Sequence, residues 1–283
     1  MSRYKALGII TKYWRPGEDF LKQIFRFVKG KISDGDFVVL SEKAISTARN
    51  NIVNEGLFKP SGNSKFIAKW WMQIIWGYFL GPLCHFQERL LKYLREYPLE
   101  MGSRHKQVAL QYAGLFQALM FGSEGAIDGS NLAYAYVSLP LSDADEIAES
   151  IRKEIQSTFN KEVCVMIVDT DKTYSFRNFY LTPRPYPIKG IHSIGGFVAY
   201  ICGRFFKLKS QPTPIALSGC KINVKEALRI AQIADHMMGV GAGKTVWDMA
   251  ERFGVDLDGV QWEMLETVKH KPIVIVRKKK GEK

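Results

Sequence analysis

The fold is decided by an apolar run that ends in acidic residues, Glu162-Val163-Cys164-Val165-Met166-Ile167-Val168-Asp169-Thr170-Asp171. A short continuous apolar run of this kind is typical of a strand that is buried on both faces. We therefore predict a buried strand over residues 162–168, with Asp169 and Thr170 at its end. An Asp at the end of a buried strand is well placed to hold a hard cation such as magnesium, although it also suits a simple cap.

Strand and helix patterns alternate on both sides of this run. Further strands are predicted over residues 6–11, 37–40, 132–139, 214–217 and 272–276. Helices are predicted over residues 18–30, 88–95 and 224–238, and after a capping box made by Ser142 and Asp145. The alternation indicates a mixed α/β protein, and no repeat period interrupts it.

Length and charge leave several classes of partner open. The chain has 283 residues and a formal net charge of +12, which favours anionic partners such as phosphates, nucleic acid or acidic lipid. A lysine-rich solvated surface, including the basic tail from Arg277 to Lys280, explains most of this excess. Because the sequence has no arginine-rich arm and no RNP-like aromatic motif, we expect no nucleic-acid partner.

The cysteines and the start of the chain indicate a cytoplasmic protein. Cys84, Cys164, Cys202 and Cys220 are far apart in sequence and lack the CxxC spacing of zinc or redox sites. We therefore predict four buried, reduced thiols. The residues after Met1 lack the apolar core and cleavage site of a secretory signal.

The segment 70–86 is unusually rich in Trp, Tyr, Phe and Ile. Its length only reaches the lower end of the roughly 17–25 residues of a membrane span. Gln73, Gly81-Pro82 and His85 also interrupt it. We therefore predict a helix that is buried or lies in a subunit interface, and hence a homodimer. Contact with a membrane surface is the less favoured alternative.

A second acidic cluster precedes the predicted strand 132–139, in the run Gly125-Ala126-Ile127-Asp128-Gly129-Ser130-Asn131. Asp128 lies in a turn and is a second candidate ligand for a magnesium or manganese ion. Beside Gly129 it also fits the simpler role of an Asx-turn residue.

A glycine-rich run, residues 239–245, follows the predicted helix 224–238 and ends in Lys244-Thr245. A Walker phosphate loop requires a glycine five positions before Gly243, where this chain has Met238. The glycines and Lys244 still suit contact with phosphates, through backbone N–H groups and charge. The alternative is a helix C-cap at Gly239 followed by a mobile linker. The histidines lack the spacing of a zinc site or a hydrolytic triad.

The order of these motifs resembles the coenzyme F420-0:L-glutamate ligase family, which adds γ-linked glutamate to a deazaflavin cofactor using GTP. The run from Gly125 to Asn131 is similar to the family's G-I-D-x-S-N. Asp169-Thr170 with Arg177-Asn178 is similar to S-D-T-F-G-R-x-x-R-N. Weaker likenesses are Val38, Leu40-Ser41-Glu42-Lys43 and Ser46 to V-V-T-S-K-x-x-S, and residues 231–239 to A-x-x-x-x-M-G.

The resemblance implies an α+β fold that forms an intertwined homodimer. It implies a single unit over residues 1–283, built from one body or from two interleaved subdomains, with an apolar helical segment at 64–97. By position, Asp128 and Asp169 would bind a first divalent metal ion, and Thr170 a second. Residues implied for the nucleotide are Asn131, Met238, Gly239, Gly241, Gly243 and Lys244.

The implied activity is that of an amide ligase that depends on Mg2+ or Mn2+ and on GTP or ATP. It would phosphorylate the carboxylate of a phosphate-bearing small molecule to an acyl phosphate, which the amine of glutamate then attacks. No single residue is assigned as catalytic. The chain departs from the family pattern at Glu42, Thr47 and Val240. A non-catalytic member that binds nucleotide or metal, or has a structural role, is therefore the alternative.

Overall fold

The computed structural model of the protein describes residues 4–122 and 124–279; Lys280 of the basic tail and residues 1–3 lie outside them. The strands are β1 (Tyr4–Thr11), β2 (Phe37–Ser41), β3 (Ile52–Asn54), β4 (Tyr136–Ser138), β5 (Cys164–Phe176), β6 (Phe179–Thr182), β7 (His192–Ser193), β8 (Lys209–Ser218) and β9 (His270–Lys278). The first helices are α1 (Phe20–Val28), α2 (Glu42–Ala48), α3 (Gly62–Phe66), α4 (Gly81–Leu83), α5 (Glu88–Arg95) and α6 (Leu99–Tyr112). The later helices are α7 (Leu115–Ala118), α8 (Ala144–Phe159), α9 (Phe197–Phe205), α10 (Val224–Met238), α11 (Val246–Phe253) and α12 (Trp262–Glu266). A π-helical stretch, Ile67–Leu80, joins α3 to α4.

The described residues build one large mixed sheet in the order β1, β9, β2, β5, β6, β7, with β8 along the other edge of β5. Strands β2 and β5 are parallel, and β8 is antiparallel to β5. A short separate pair joins β3 to β4. This arrangement confirms the predicted mixed α/β class.

Both faces of the central strands are buried, because side chains on a strand alternate between its two sides. Val38 and Leu40 lie in one apolar core, which also includes Ile151 of α8. Phe37 and Val39 lie in a second core on the opposite face, with α10. This explains why the strand at residues 37–40 is continuously apolar in sequence.

Strand β5 confirms the predicted buried strand but extends beyond its predicted end. Asp169 lies within β5, and the pairing with β8 shifts between Asp169 and Lys172. Such a shift is a β-bulge, which inserts extra residues and re-aims side chains. The strand continues past the bulge, and Thr173 and Tyr174 are again buried.

Two predicted details are wrong. Of the strand expected over residues 132–139, only β4 forms, at Tyr136–Ser138. Leu132 and Ala133 belong instead to a turn in which Asn131 and Tyr134 have positive φ. Helix α8 forms as expected, but its N-cap is Asp143, without a side-chain capping bond. The Asp143 carboxylate pairs instead with Arg49.

The four reduced thiols predicted from sequence are corrected in part. Cys164 begins β5 and Cys220 follows β8, with their Cα atoms 5.6 Å apart, and the two form a disulfide bond. The antiparallel pairing of β5 and β8 makes them neighbours despite a separation of 56 residues. Cys84 and Cys202 are free, as predicted.

The apolar segment 70–86 belongs to a helical region beside the sheet. Met72 and Trp76 of the π-helical stretch are buried in a third apolar cluster with Leu94 of α5 and Val108 of α6. The segment thus has a partner on one side within its own chain. The homodimer expected from it stays a prediction. No helix among the described residues is both long and apolar enough to span a bilayer.

Candidate functional site

An open cleft lies where β2, the bulge of β5 and the C-terminal end of α10 meet. It encloses about 830 Å3 when the open solvent at its mouth is counted. Its lining includes Lys43, Asn131, Asp169, Thr170 and residues 238–242. Most of the residues predicted to form a site therefore border one cleft.

The strand-to-helix turn after β2 delivers a lysine to this cleft. Ser41 caps α2 by accepting a hydrogen bond from the N–H of Ala44. The cap starts the helix directly at the strand end. Lys43 in the first turn reaches Asp128, and its Nζ also donates to Oγ of Ser130 at 2.8 Å.

Asp128 forms an Asx-turn, the simpler of the two roles that its sequence context allows. Its Oδ1 accepts the N–H of Ser130 at 2.7 Å, which closes an Asx-turn. Its Oδ2 accepts from both Lys43 and the hydroxyl of Ser130. The side chains of Lys43 and Asp128 are each 19% exposed, so solvent and ligands still reach the pair.

The turn that carries Asp128 is tied to the bulge of β5. Ala126, which has a φ of +79°, donates its N–H to Oδ2 of the buried Asp171 at 3.1 Å. Thr170, the neighbouring bulge residue, is exposed and lines the cleft. Asp171 therefore anchors the backbone beside Asp128.

Arg184 holds two buried carboxylates together. Its Nη1 donates to Oδ2 of Asp169 at 2.7 Å, and its guanidinium grips both oxygens of Glu42. Burial opposes the charge, but Glu42 and Asp169 together hold the pKa of Arg184 above its usual value. Burial raises the pKa of Glu42 against the opposing influence of Arg184. Glu42, a departure from the family pattern, is thus neutralised by a partner that the sequence did not reveal.

The two predicted metal ligands face one small cavity. Glu42, Lys43, Asp128 and Asp169 border a cavity of about 190 Å3, open solvent included, and Lys43 and Asp169 border the open cleft as well. The structure thus places Asp128 and Asp169 at one cavity, and their binding of a shared ion stays a prediction. Within residues 4–122 and 124–279, no three His, Cys, Asp or Glu side chains converge as a metal cluster. Two carboxylates are nevertheless a usual protein contribution to a magnesium site.

Asn131 binds the glycine-rich run within the chain itself. Its Nδ2 donates to the carbonyls of Val240 and Gly243, and its Oδ1 accepts the N–H of Ala242 at 2.5 Å. Gly241 has a φ of +63°, and a Cβ at this position would lie 2.2 Å from Oδ1 of Asn131. The glycine is required here because the loop lies directly against the amide.

The predicted nucleotide residues divide into two groups. Met238, Gly239 and Gly241 line the cleft with Asn131. Gly243 is buried in the turn before α11, and Lys244 is exposed beyond the residues that line the cleft. A phosphate contact of Lys244 therefore stays a prediction.

Several cleft residues were not identified from the sequence. Asp235 of α10 lines the cleft, and burial raises the pKa of its carboxyl. His270 also lines it, and burial lowers the pKa of this imidazole to about 4. Lys269 and Lys271 flank His270 at the start of β9. The position of Asp235, three residues before Met238, was the available signal. The strand that became β9 was predicted over residues 272–276, but the location of His270 beside the cleft depends on how β9 pairs with β1 and β2.

Comparison with known proteins gives consistent matches. A sequence model of the family described as F420-0:gamma-glutamyl ligase matches residues 8–247, which include both cavity aspartates. An uncharacterized protein of Methanocaldococcus jannaschii is 35% identical over 291 residues, covering 99% of this chain and 98% of that protein. A coenzyme F420:L-glutamate ligase of Archaeoglobus fulgidus is 28% identical over 160 residues, covering 56% of this chain and 55% of that enzyme.

Proposed function

Because this chain belongs to the F420-0:gamma-glutamyl ligase family, we propose that it is a metal- and nucleotide-dependent amide ligase. The substrate class would be a phosphate-bearing small molecule with a free carboxylate, and glutamate the donor of the amine. The observation that carries the proposal is that Asp128 and Asp169 border one cavity that adjoins an open cleft.

The donor set of the cavity suits Mg2+ or Mn2+. Hard divalent cations bind one or two carboxylates and complete their coordination with water and phosphate oxygens. Asp128 and Asp169 would hold the first ion, and Thr170 would contribute its hydroxyl to a second ion at the cleft edge. When bound, the ion would neutralise phosphate charge during phosphoryl transfer. In the chain alone Lys43 and Arg184 neutralise the two carboxylates, so metal binding requires that Asp128 exchange Lys43 for the ion.

The cleft around this cavity suits a nucleotide phosphate. Lys43, Lys269 and Lys271 supply positive charge along its lining. Residues 239–242 also line the cleft. A phosphate that binds Lys43 would free Asp128 for the metal ion. A metal ion that binds Asp128 would in turn free Lys43 for the phosphate. We therefore expect GTP or ATP and Mn2+ to bind with positive coupling.

The alternative, a non-catalytic member of the family, rests on a specific feature of the same site. Arg184 and Lys43 already satisfy Glu42, Asp128 and Asp169 without any metal ion. A site that is complete in itself would serve a structural role equally well. A ligase and a purely structural member of the family differ in whether a metal ion displaces Lys43 from Asp128.

Calorimetric titration with Mn2+, alone and after saturation with GTP or ATP, tests the proposal. We expect Mn2+ affinity to fall by roughly tenfold or more in Asp128→Asn and in Asp169→Asn. Asp143→Asn is the matched control, because its carboxylate is partly exposed and pairs only with Arg49 on the surface. Unchanged Mn2+ affinity in both cavity variants, with the control also unchanged, would contradict the metal site and favour a non-catalytic member with a structural role.

A further inference from the structure

The last residue of α3 and the π-helical stretch that follows it present an apolar stripe to solvent, on the side that faces away from their buried core. We define the stripe by Phe66, Trp70, Ile74 and Phe79, whose side chains are 60%, 52%, 38% and 62% exposed. Successive members are four or five residues apart, close to one turn of a helix with i to i+5 hydrogen bonds. The wide turn therefore keeps four large apolar side chains along one line.

Two neighbouring helices extend this surface. The ring of Phe197 at the start of α9 contacts Trp71 at 5.6 Å and Phe116 of α7 at 6.3 Å, measured between centroids. Phe116 is itself 53% exposed, and α9 ends in the exposed pair Phe205 and Phe206. Exposed apolar surface of this extent marks an interaction site.

This surface is predominantly basic, and the acidic side chain of Glu88 beside it is paired with Arg95, which also contacts the π-helical stretch. The segments 56–87, 101–123 and 172–225, which supply these helices, contain no Asp or Glu. Exposed lysines flank the stripe at Lys65 and Lys69, and Lys207 follows α9. The Nζ of Lys69 lies 5.4 Å from the ring centroid of Trp70, so its charge is beside the stripe.

We infer that this surface binds an anionic membrane, with the stripe at the boundary between head groups and acyl chains. Helices that lie in a membrane interface combine Trp, Phe and Leu on one face with flanking Lys or Arg. Basic residues are attracted to anionic lipid, and Trp is favoured at the interface. The inference reverses the sequence-based expectation that membrane contact is disfavoured.

A second copy of the chain fits this surface less well. A twofold contact places the same basic patch against itself, so both sides of the contact would carry Lys65 and Lys69. An anionic lipid surface supplies the missing charge.

Co-sedimentation with vesicles tests the inference. We expect the full chain to bind vesicles of phosphatidylcholine with phosphatidylglycerol about tenfold more tightly than phosphatidylcholine alone, and salt to weaken this binding. Trp70→Glu combined with Phe79→Glu should abolish it, whereas Ile10→Glu, at a 54% exposed apolar residue of β1, should not. Lys65→Gln with Lys69→Gln should weaken binding more than Lys22→Gln with Lys29→Gln, a pair of exposed lysines on and beside α1.

Far-ultraviolet circular dichroism and thermal unfolding establish that each variant is folded, which is expected because every substituted side chain is exposed. Three results overturn the inference. These are equal binding to both vesicle types, binding that survives the double glutamate substitution, and a micromolar dimer in light scattering that this substitution dissociates. The last result would identify a second copy as the occupant.

Discussion

Nη1 of Arg184 lies 2.7 Å from Oδ2 of Asp169, so a cation supplied by the chain stands beside a carboxylate predicted to bind metal. Arg184 is fully buried between Pro183 and Pro185, which restrict the backbone on both sides. The same guanidinium grips Glu42. The site therefore contains a built-in counter-charge for two acidic groups that would otherwise repel each other.

Replacing this arginine should be costly. Arg184→Met leaves Glu42 and Asp169 buried without a cation, and removing one partner of a buried ion pair typically costs about 3–5 kcal/mol. We expect the free energy of unfolding, measured in urea, to fall by that amount. Mn2+ should recover more stability in this variant than in the unaltered protein, since the ion replaces the lost charge.

Arg49→Met is the control for this prediction. Arg49 pairs with Asp143 at 2.8 Å, but both side chains are more than a third exposed. Exposed pairs contribute about 0–1 kcal/mol, so this variant should remain close to the unaltered protein. Equal losses in the two variants would show that Arg184 does not stabilise the carboxylates of the cavity.

The aspartates of the site were predictable from the sequence, but their counter-charges were not. Asp128 and Asp169 each lie in a local pattern, a glycine-bearing turn and the end of an apolar run. Arg184 comes 15 residues after Asp169, and Glu42 is 142 residues from Arg184. Such a contact depends on how β2, β5 and the proline-rich loop assemble, and no periodicity in the sequence reports it.

The glycine-rich loop gives a second prediction. Asn131→Ala removes the amide that binds Val240, Ala242 and Gly243. Each hydrogen bond contributes about 1 kcal/mol, so amide exchange in residues 240–243 should accelerate by about tenfold or more. Hydrogen exchange measured by mass spectrometry reports this directly.

Asn223→Ala provides the comparison, because Asn223 caps the other end of α10 through the N–H of Glu226. Its effect should be confined to the first turn of α10. If the loop exchanged equally fast in the unaltered protein and in Asn131→Ala, Asn131 would not order the loop.

Lys244→Ala tests whether Lys244 contacts phosphate. We expect this variant to bind nucleotide more weakly, and unchanged affinity would mean that residues 239–245 serve as a linker.

Acid should destabilise the protein partly through His270. Burial lowers the pKa of His270 to about 4, so the unfolded chain binds its proton more readily than the folded one. The stability linked to His270 is present above about pH 6.5 and is lost as pH falls towards 4. We expect His270→Gln to flatten the decline in unfolding free energy over this range by roughly 1–3 kcal/mol.

His85→Asn is the matched control for that titration. His85 is exposed and has a φ of +59°, a conformation that Asn tolerates. This variant should keep the full acid dependence of the unaltered protein. An identical slope in His270→Gln would mean that His270 is protonated as easily in the folded as in the unfolded protein.

The strands and the long helices were predictable because their apolar spacing is local. The π-helical stretch was not, since its composition indicated only an apolar helix and gave no sign of the wider turn. The capping box predicted at Ser142 does not form at the start of α8. A capping box of Thr245 and Asp248 is found at the start of α11, where none was predicted. Caps depend on one or two side chains, and neighbouring ion pairs such as Arg49 with Asp143 redirect them.

A buried charge network beside the Asp128 turn gives the last prediction. Nε2 of His105 lies 2.7 Å from Oε2 of Glu124, its Nδ1 contacts Glu55, and Lys106 pairs with Glu124. Burial opposes the charge of His105, but Glu124 and Glu55 raise its pKa to about 10. Burial likewise opposes ionisation of Glu124, yet His105 and Lys106 lower its pKa to about 2.

The two shifts define a pH window for stability. The contribution of Glu124 is present above about pH 4.5 and is lost as pH falls towards 2. That of His105 is present below about pH 6.5 and is lost as pH rises through 10. Glu124 and His105 together should therefore stabilise the fold most between about pH 5 and pH 6.5, with losses on both sides.

Glu124→Gln should remove much of this stabilisation, because it leaves His105 and Lys106 facing only Glu55. We expect a loss of about 3–5 kcal/mol in the free energy of unfolding near neutral pH. The pKa of His105, followed by NMR, should fall from about 10 towards its usual range. Glu100 lies on α6, as His105 does, but in an exposed pair with Arg104. Glu100→Gln should therefore change neither the free energy of unfolding nor the pKa of His105. If His105 still titrated near 10 in Glu124→Gln, Glu55 alone would account for its raised pKa.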